Sequence, residues 1–182
     1  IDRPVLLRST LAEAGVMTNT RSVVYLEEGA ELTLIELDDG TRLSEGPVIA
    51  QYIADRADAR ALMPPAGSLA RYRVMAWQNY ITSEIHKSFT PLFHSDVDAT
   101  AKKALAAVLR KKLVWLDGQL TGKSHLTGET FTAADAYLFT VLGWAKFVQI
   151  DLADLKNVVA FMARVAARPA VQAAMKAEGL IA

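Results

Sequence analysis

The rhythm of apolar and polar positions changes near residue 60. Before it, short apolar runs alternate with turn residues; after it, apolar residues recur at helical spacing almost to the end. Val5 and Leu6 make a short apolar run after Pro4. Ser9 to Ala14, stopped by Gly15, reads as a brief helix. Arg21 to Leu26 (RSVVYL) and Glu31 to Leu37 (ELTLIEL) are rich in β-branched, aromatic and aliphatic residues, which predicts two strands. Asp38-Asp39-Gly40 is a turn signal, and Thr41 to Leu43 returns as a third strand. Gly46-Pro47 opens a helix, because proline at the first helical position loses no needed hydrogen bond. Val48, Ile49, Tyr52 and Ile53 share its apolar face, and Asp55 to Asp58 close it. Leu62-Met63-Pro64-Pro65-Ala66-Gly67 cannot continue as helix, since two prolines remove donors and push the residues before them to extended forms. The pattern predicts a domain over residues 1–61, a linker over 62–67 and a helical domain over 68–182.

Within the helical part, Ser68 is placed to cap a helix running to about Phe89, with Met75, Ile81 and Ile85 among its inward positions; Thr90-Pro91 disturbs it. Ala101 to Leu120 sets Leu105, Leu109, Leu113, Leu116 and Leu120 on one stripe. Thr132 stands three residues before Asp135 ahead of an apolar run, the pattern of a capping box. Ala136, Tyr137, Leu138, Phe139, Val141, Leu142, Trp144 and Ala145 are then apolar on every face, which suits a helix buried among others. The run is about 10 residues, well short of the roughly 20 a membrane span needs. Asp154 is placed to cap a further helix carrying Leu155, Val158, Val159, Met162 and Val165. Pro169 opens the last one, closed by Gly179.

Composition narrows the function. Hydrophobic residues are 52% and charged residues 22%, enough to fill a core and too apolar for disorder. Lys+Arg and Asp+Glu both number 20, so net charge gives no reason to expect a nucleic-acid or anionic-membrane partner. There is no cysteine among the 182 residues, which excludes disulfides, thiolate metal sites and cysteine nucleophiles in them. The three histidines, His86, His94 and His125, lack metal-ligand spacing, and no metal is expected. No long apolar leader stands near residue 1, so the cytoplasm is the expected location.

Four segments carry a resemblance: LDDGTRLSEGPVIAQYIAD (37–55), WQNYITSEIHKSFTPLF (77–93), FTAADAYLFTVLGWA (131–145) and ARPAVQAAMKAEGL (167–180). In that order and spacing they resemble the glutathione transferases, and specifically the bacterial beta class. The likeness runs over about four-fifths of the chain, from Leu37 onward. It implies an α/β thioredoxin-like N-terminal part, here reduced, followed by an all-α helical-bundle C-terminal domain, and a homodimer. It implies glutathione as co-substrate and an apolar electrophilic small molecule as the second substrate. By the match, Glu45 holds the γ-glutamyl ammonium. Gly46 offers a backbone donor where many relatives have a serine, and the Leu32 backbone meets the cysteinyl part. Asn79, His86 and Lys87 match residues lining the cleft between the domains, and Glu84 matches one reaching toward the partner subunit's glutathione. His86 is the catalytic candidate, able to hydrogen-bond the thiol or hold it as thiolate. Trp77, Phe89 and Phe93 are candidates for apolar walls. Without the resemblance, Glu45 reads as a charge complementing a helix dipole. Asn79, His86 and Lys87, seven and eight apart, then read as a solvated helix face.

The first third departs from the family. The beta class carries a catalytic cysteine in a loop after its first strand, and this chain has none. By the match, Thr10 to Gly15 is the end of the first helix, so that loop is absent or replaced by residues 1–9. The second helix is missing between Gly15 and Leu37. Leu32-Thr33 stands where relatives have Val-Pro. Ser9, Thr10 and His86 remain as groups that could activate the thiol. The reading is therefore a glutathione S-transferase conjugating glutathione to electrophiles. The alternative is a catalytically silent glutathione-transferase-like module that binds ligands or proteins. Disulfide exchange is disfavoured, since no protein thiol exists to form the mixed disulfide.

Overall fold

A computed structural model describes residues 5–10, 19–27, 30–36 and 42–181. The chain divides into two compact units, Ile1–Ala59 and Arg60–Ala182.

Among the described residues, the first unit holds four strands and one helix: β1 (Val5–Thr10), β2 (Asn19–Glu27), β3 (Ala30–Glu36), β4 (Arg42–Leu43) and α1 (Gly46–Arg56). The strands lie in sequence order, each antiparallel to its neighbour. β2 and β3 fall on the two predicted strands, and β4 on the return strand. Leu37, Thr41 and the Asp38–Gly40 turn lie outside the described residues. The expected helix from Ser9 is corrected: Ser9 and Thr10 pair with Thr20 and Asn19, so their backbone belongs to a ladder. Leu11 to Gly15 lie outside the described residues. α1 begins on the predicted Gly-Pro, with Pro47 in its first turn.

The second unit is helical: α2 (Leu69–Tyr80), a π-helical segment (Ile81–His86), α3 (Lys87–Phe93), α4 (Ala99–Gln119), α5 (Ala133–Gly143), a 3-10 turn (Trp144–Lys146), α6 (Lys156–Ala166) and α7 (Pro169–Ala177). The predicted linker is tied down to this unit. The Ala133 N–H donates to the Leu62 carbonyl (3.0 Å), Arg71 Nη1 to the Pro64 carbonyl (3.1 Å), and Met63 is buried. Ser68 caps α2, its hydroxyl oxygen accepting from the Arg71 N–H at 3.2 Å.

α2, the π segment and α3 follow one another without a break, and Pro91 does not end the helix at Phe89. Phe89 and Leu92 are buried on either side of it, and packing against α4 outweighs one missing N–H. The wider turn has identifiable side-chain partners. Thr82 Oγ1 donates to the Gln78 carbonyl (2.9 Å), and Ser88 Oγ (2.6 Å) and Lys112 Nζ (3.1 Å) to that of Glu84. Such back-bonding bends helices and gives the ladder's carbonyls other donors. Met75, expected inward, is 37% exposed; Val74 and Gln78 take the buried face of α2.

α5 is the buried helix the sequence predicts, packed against α2, the π segment and α6. Ala136 and Thr140 are exposed along it and Tyr137, Phe139 and Gly143 are half-buried, so it is covered on most sides rather than all. Its capping box forms. Asp135 is 0% exposed, and its carboxylate accepts three hydrogen bonds: from the Thr132 N–H (2.7 Å), the Thr132 hydroxyl (2.8 Å) and the Leu126 N–H (2.8 Å). On α4 the stripe holds for Leu109, Leu113, Leu116 and Leu120, while Leu105 is exposed.

Asp154 does not cap α6. It pairs with Arg110 on the surface, and α6 is capped from another helix: Asp117 accepts from the Val158 N–H (2.9 Å) and from Asn157 Nδ2 (3.0 Å). Val158, Phe161 and Val165 form the buried face; Val159 is exposed. Gly179, as predicted, follows α7, at φ 69°, which a Cβ would strain.

His125 lies buried (6% exposed) beside this core, with Nδ1 4.0 Å from Asp135 and no hydrogen-bond partner for that nitrogen among the described residues. Burial pushes its pKa below the ordinary 6.5, against the pull of the Asp135 carboxylate. The unfolded chain therefore takes up this proton first as pH falls. Stability is full above about 6.5 and declines as pH drops below it toward the folded-state pKa. The melting temperature is expected to fall from about pH 7.5 to 5.5, and His125→Gln to remove part of that slope. An identical slope in the variant would overturn the assignment to His125.

Candidate active site

In the first unit, Glu45 stands immediately before α1, exposed, with φ 71° and ψ 107°. Its carbonyl takes the N–H groups of both Val48 and Ile49 (2.9 Å each), and Pro47 has none. Gly46 N–H is thus the donor this first turn presents to an anion. Its missing Cβ would have met nothing within 4 Å, so a side chain is tolerated there sterically. Leu32 lies in β3, opposite Tyr25 of β2. Among the described residues, β4 pairs with β3 at Ile35 and Glu36 and not at Leu32.

In the second unit the predicted helix face is rearranged. The π segment is less tightly wound than an α-helix, so the phase between Asn79 and His86 is not that of two α-helical turns. Asn79 and Lys87 are exposed; His86 is half-buried. His86 Nδ1 lies 2.7 Å from Tyr137 Oη, and Thr82 Oγ1 lies 3.3 Å from the same phenol oxygen. The Trp144 ring stands edge-on to the imidazole, centroids 4.7 Å apart at 83°. Phe89 and Phe93 also meet Trp144 edge-on, at 6.0 and 6.1 Å. Phe89 is fully buried and belongs to the core, whereas Phe93 is exposed beside Trp144. His86 therefore sits in an aromatic corner with a hydroxyl at one ring nitrogen.

Glu84 is held within its own chain. Lys112 Nζ meets its carboxylate at 3.0 Å and also donates to Ser88 Oγ at 2.9 Å. The hydrogen bond from Lys112, and then its charge, hold the Glu84 carboxyl below its usual pKa. Trp77 belongs to a different cluster, 5.8 Å from Tyr80 and 6.0 Å from Trp115 between ring centroids. These three rings line an open groove of about 480 Å³ with Arg73, Gln119 and Lys123. Burial, and then the charge of Glu84, raise the Tyr80 pKa. Among the described residues, no three of His, Cys, Asp or Glu come together to hold a metal ion.

Tyr137, Trp144 and Thr82 were not legible as site residues. Tyr137 and Trp144 counted as apolar positions of α5 and its end, but a phenol has an apolar body with a polar tip that seeks a partner when buried. That tip was the one available signal.

Comparison with known proteins gives the family. A family model described as the glutathione S-transferase C-terminal domain matches residues 80–169. The chain is 49% identical over 144 residues to the glutathione S-transferase GstA of Escherichia coli O157:H7, covering 79% of this chain and 72% of that protein. It superposes on a sphingomonad glutathione S-transferase complexed with glutathione with a TM-score of 0.77 at 43% identity, covering 82% of this chain and 74% of the other. For the bacterial beta class enzyme of Sphingomonas chungbukensis the TM-score is 0.78 at 42% identity, with the same coverage of each.

Proposed function

Since the chain belongs to the glutathione S-transferase family, we propose that Glu45 and Gly46 hold the γ-glutamyl end of glutathione and the Leu32 backbone its cysteinyl part. Asn79, His86 and Lys87 are then the groups that the helical unit contributes. The protein is a transferase of the bacterial beta type with glutathione as co-substrate. The thiol gives its proton to solvent, and the thiolate sulfur bonds to an electrophilic carbon of the second substrate. The displaced group leaves with its electron pair. A thiolate held by hydrogen-bond donors in an apolar corner is a competent nucleophile at neutral pH. No cysteine stands among these residues to take over the sulfur, so conjugation rather than disulfide exchange is the chemistry they can perform.

The observation that carries this reading is the Glu45 backbone. A non-glycine residue at positive φ costs about 1–3 kcal/mol and persists where function requires it. Here the residue stands immediately before Gly46, whose N–H opens α1, and its exposed side chain makes no cap hydrogen bond there. A carboxylate next to an N–H donor fits the paired ammonium and carboxylate of an α-amino acid end. Phe93 and Trp144, beside His86, supply an apolar wall for the electrophile.

A second copy of the chain completes the assembly in this proposal. The exposed side chains of Tyr72 on α2 and Val108 and Trp115 on α4 support an apolar contact there, with Glu84 nearby on the π segment. No single helix among the described residues is long and apolar enough to cross a membrane. We place the protein in the cytoplasm, where glutathione is kept reduced.

Calorimetric titration of glutathione into the purified protein, followed by conjugation of an aromatic halide, tests the site. Saturable one-site binding and thioether formation are expected. Absence of binding at millimolar glutathione would leave a ligand- or protein-binding module of the same fold.

A further inference from the structure

Lys112 reaches from α4 to the helix that carries the π segment. It stands between Leu109 and Leu113, both fully buried, so the core fixes its backbone. Its Nζ meets three oxygens: the Glu84 carboxylate (3.0 Å), the Glu84 carbonyl (3.1 Å) and Ser88 Oγ (2.9 Å). An ammonium has three protons to give and no lone pair, so all three contacts run in one direction and each proton has an acceptor. Ser88 Oγ lies 2.6 Å from the Glu84 carbonyl, which can only accept. The Ser88 hydroxyl therefore donates to that carbonyl while accepting from Lys112. Glu84 and Ser88 are four residues apart on one face of the helix, and His86 and Lys87 lie between them. π turns are rare, occur mostly as single turns inside α-helices, and are frequent at functional sites. Here two side-chain donors meet one carbonyl inside the turn, as many as the oxygen has lone pairs. The ion pair with the half-exposed Glu84 carboxylate contributes little by itself. The contacts to the carbonyl and to Ser88 are what tie α4 to the backbone of the turn.

We propose that Lys112 is a positioning residue for glutathione binding: its ammonium clamps the turn that carries His86 and Lys87 and so sets where these two side chains stand. The proposal rests on the reading of His86 and Lys87 as groups that meet glutathione. Lys112 acts through the backbone and not on the ligand, because its three protons are already engaged at residues 84 and 88. Asn79, on α2 ahead of the π segment, lies outside the clamp.

Two variants test the clamp. Lys112→Met keeps the length of the side chain and removes all three donors; Ser88→Ala removes one link and changes no charge. The first readout is proton NMR of the histidine rings without glutathione, with His86 assigned through His86→Gln. The edge-on Trp144 ring, centroid 4.7 Å from that of His86, makes the His86 resonances sensitive to small displacements. They are expected to move in both variants, while those of His125, beside Asp135 in the core, stay in place. The second readout is calorimetry, in which the Kd for glutathione is expected to rise roughly five- to twentyfold in Lys112→Met and about two- to fivefold in Ser88→Ala. His86 resonances that stay in place in Lys112→Met would overturn the proposal; should that variant not fold, the same result in Ser88→Ala overturns it. Movement of His125 together with His86 would make the role one of general stability and would equally overturn it. If His86 alone moves and Kd stays within about twofold, the clamp stands, and the reading of His86 and Lys87 as glutathione contacts is what fails.

Discussion

Asp135→Ala is expected to destabilise the helical unit by about 3–5 kcal/mol. The carboxylate is 0% exposed and accepts three hydrogen bonds, two of them from the backbone N–H groups of Leu126 and Thr132. Alanine leaves both donors buried with nothing to accept them and opens a void at the start of α5. It also removes a negative charge from the end of a helix that favours one. Asp135 further joins the Leu126 loop to the helix start, so the loss is not confined to one cap. Asparagine keeps the volume and one acceptor oxygen, and a smaller loss, about half as large, is expected. Because folded domains are stable by only about 5–15 kcal/mol, expression of the alanine variant should fall steeply. Denaturant melts at low temperature give the number. A change under about 1 kcal/mol would mean that water replaces the carboxylate and that the cluster contributes little.

Glu45→Gly is expected to weaken glutathione binding roughly 10- to 100-fold, the equivalent of one charge-assisted bond. Glycine is the sharper choice than alanine. At φ 71° alanine keeps the backbone strain while removing the carboxylate, whereas glycine relieves it. A glycine variant that is as stable as wild type, or more so, yet binds poorly would show that the strain at Glu45 is held for the ligand. Glu45→Gln, keeping a neutral acceptor, should fall between the two. The measurement is the calorimetric titration already described. Affinity within about twofold of wild type would remove Glu45 from the site.

Much of the helical unit was legible because its signals are local. Ser68, the Pro64-Pro65 break, Pro169 and Gly179 act within a few residues, and each sits where it was expected. The Thr132–Asp135 cap was legible for the same reason. The misreadings are those where a neighbour from elsewhere in the chain prevailed. Asp154 had the right type and place to cap α6, but Arg110 took it and Asp117 supplied the cap. Pro91 had the right chemistry to end a helix, but the buried Phe89 and Leu92 hold it in place. In the first unit the helix expected from Ser9 gave way to pairing with β2, a contact that local pattern does not encode.

The candidate site divides along the same line. Its residue types and their order, Glu45 before a Gly-Pro helix and Asn79, Glu84, His86 and Lys87 along one helix, are properties of the sequence, and so is the absence of a cysteine. The family follows from that order. The sequence could not give the phase of the helix that carries His86. A regular 3.6-residue period puts Asn79 and His86 on one face, and only the π segment, whose carbonyls bond side chains of its own helix and Lys112 of α4, alters it. Nor could it give the partner of His86, because Tyr137 lies 51 residues away and meets it only once α5 is packed against the π segment. Local pattern fixes which groups are present and in what kind of element. Which atoms face one another is decided by packing, because only burial forces a polar tip to find a partner at long range.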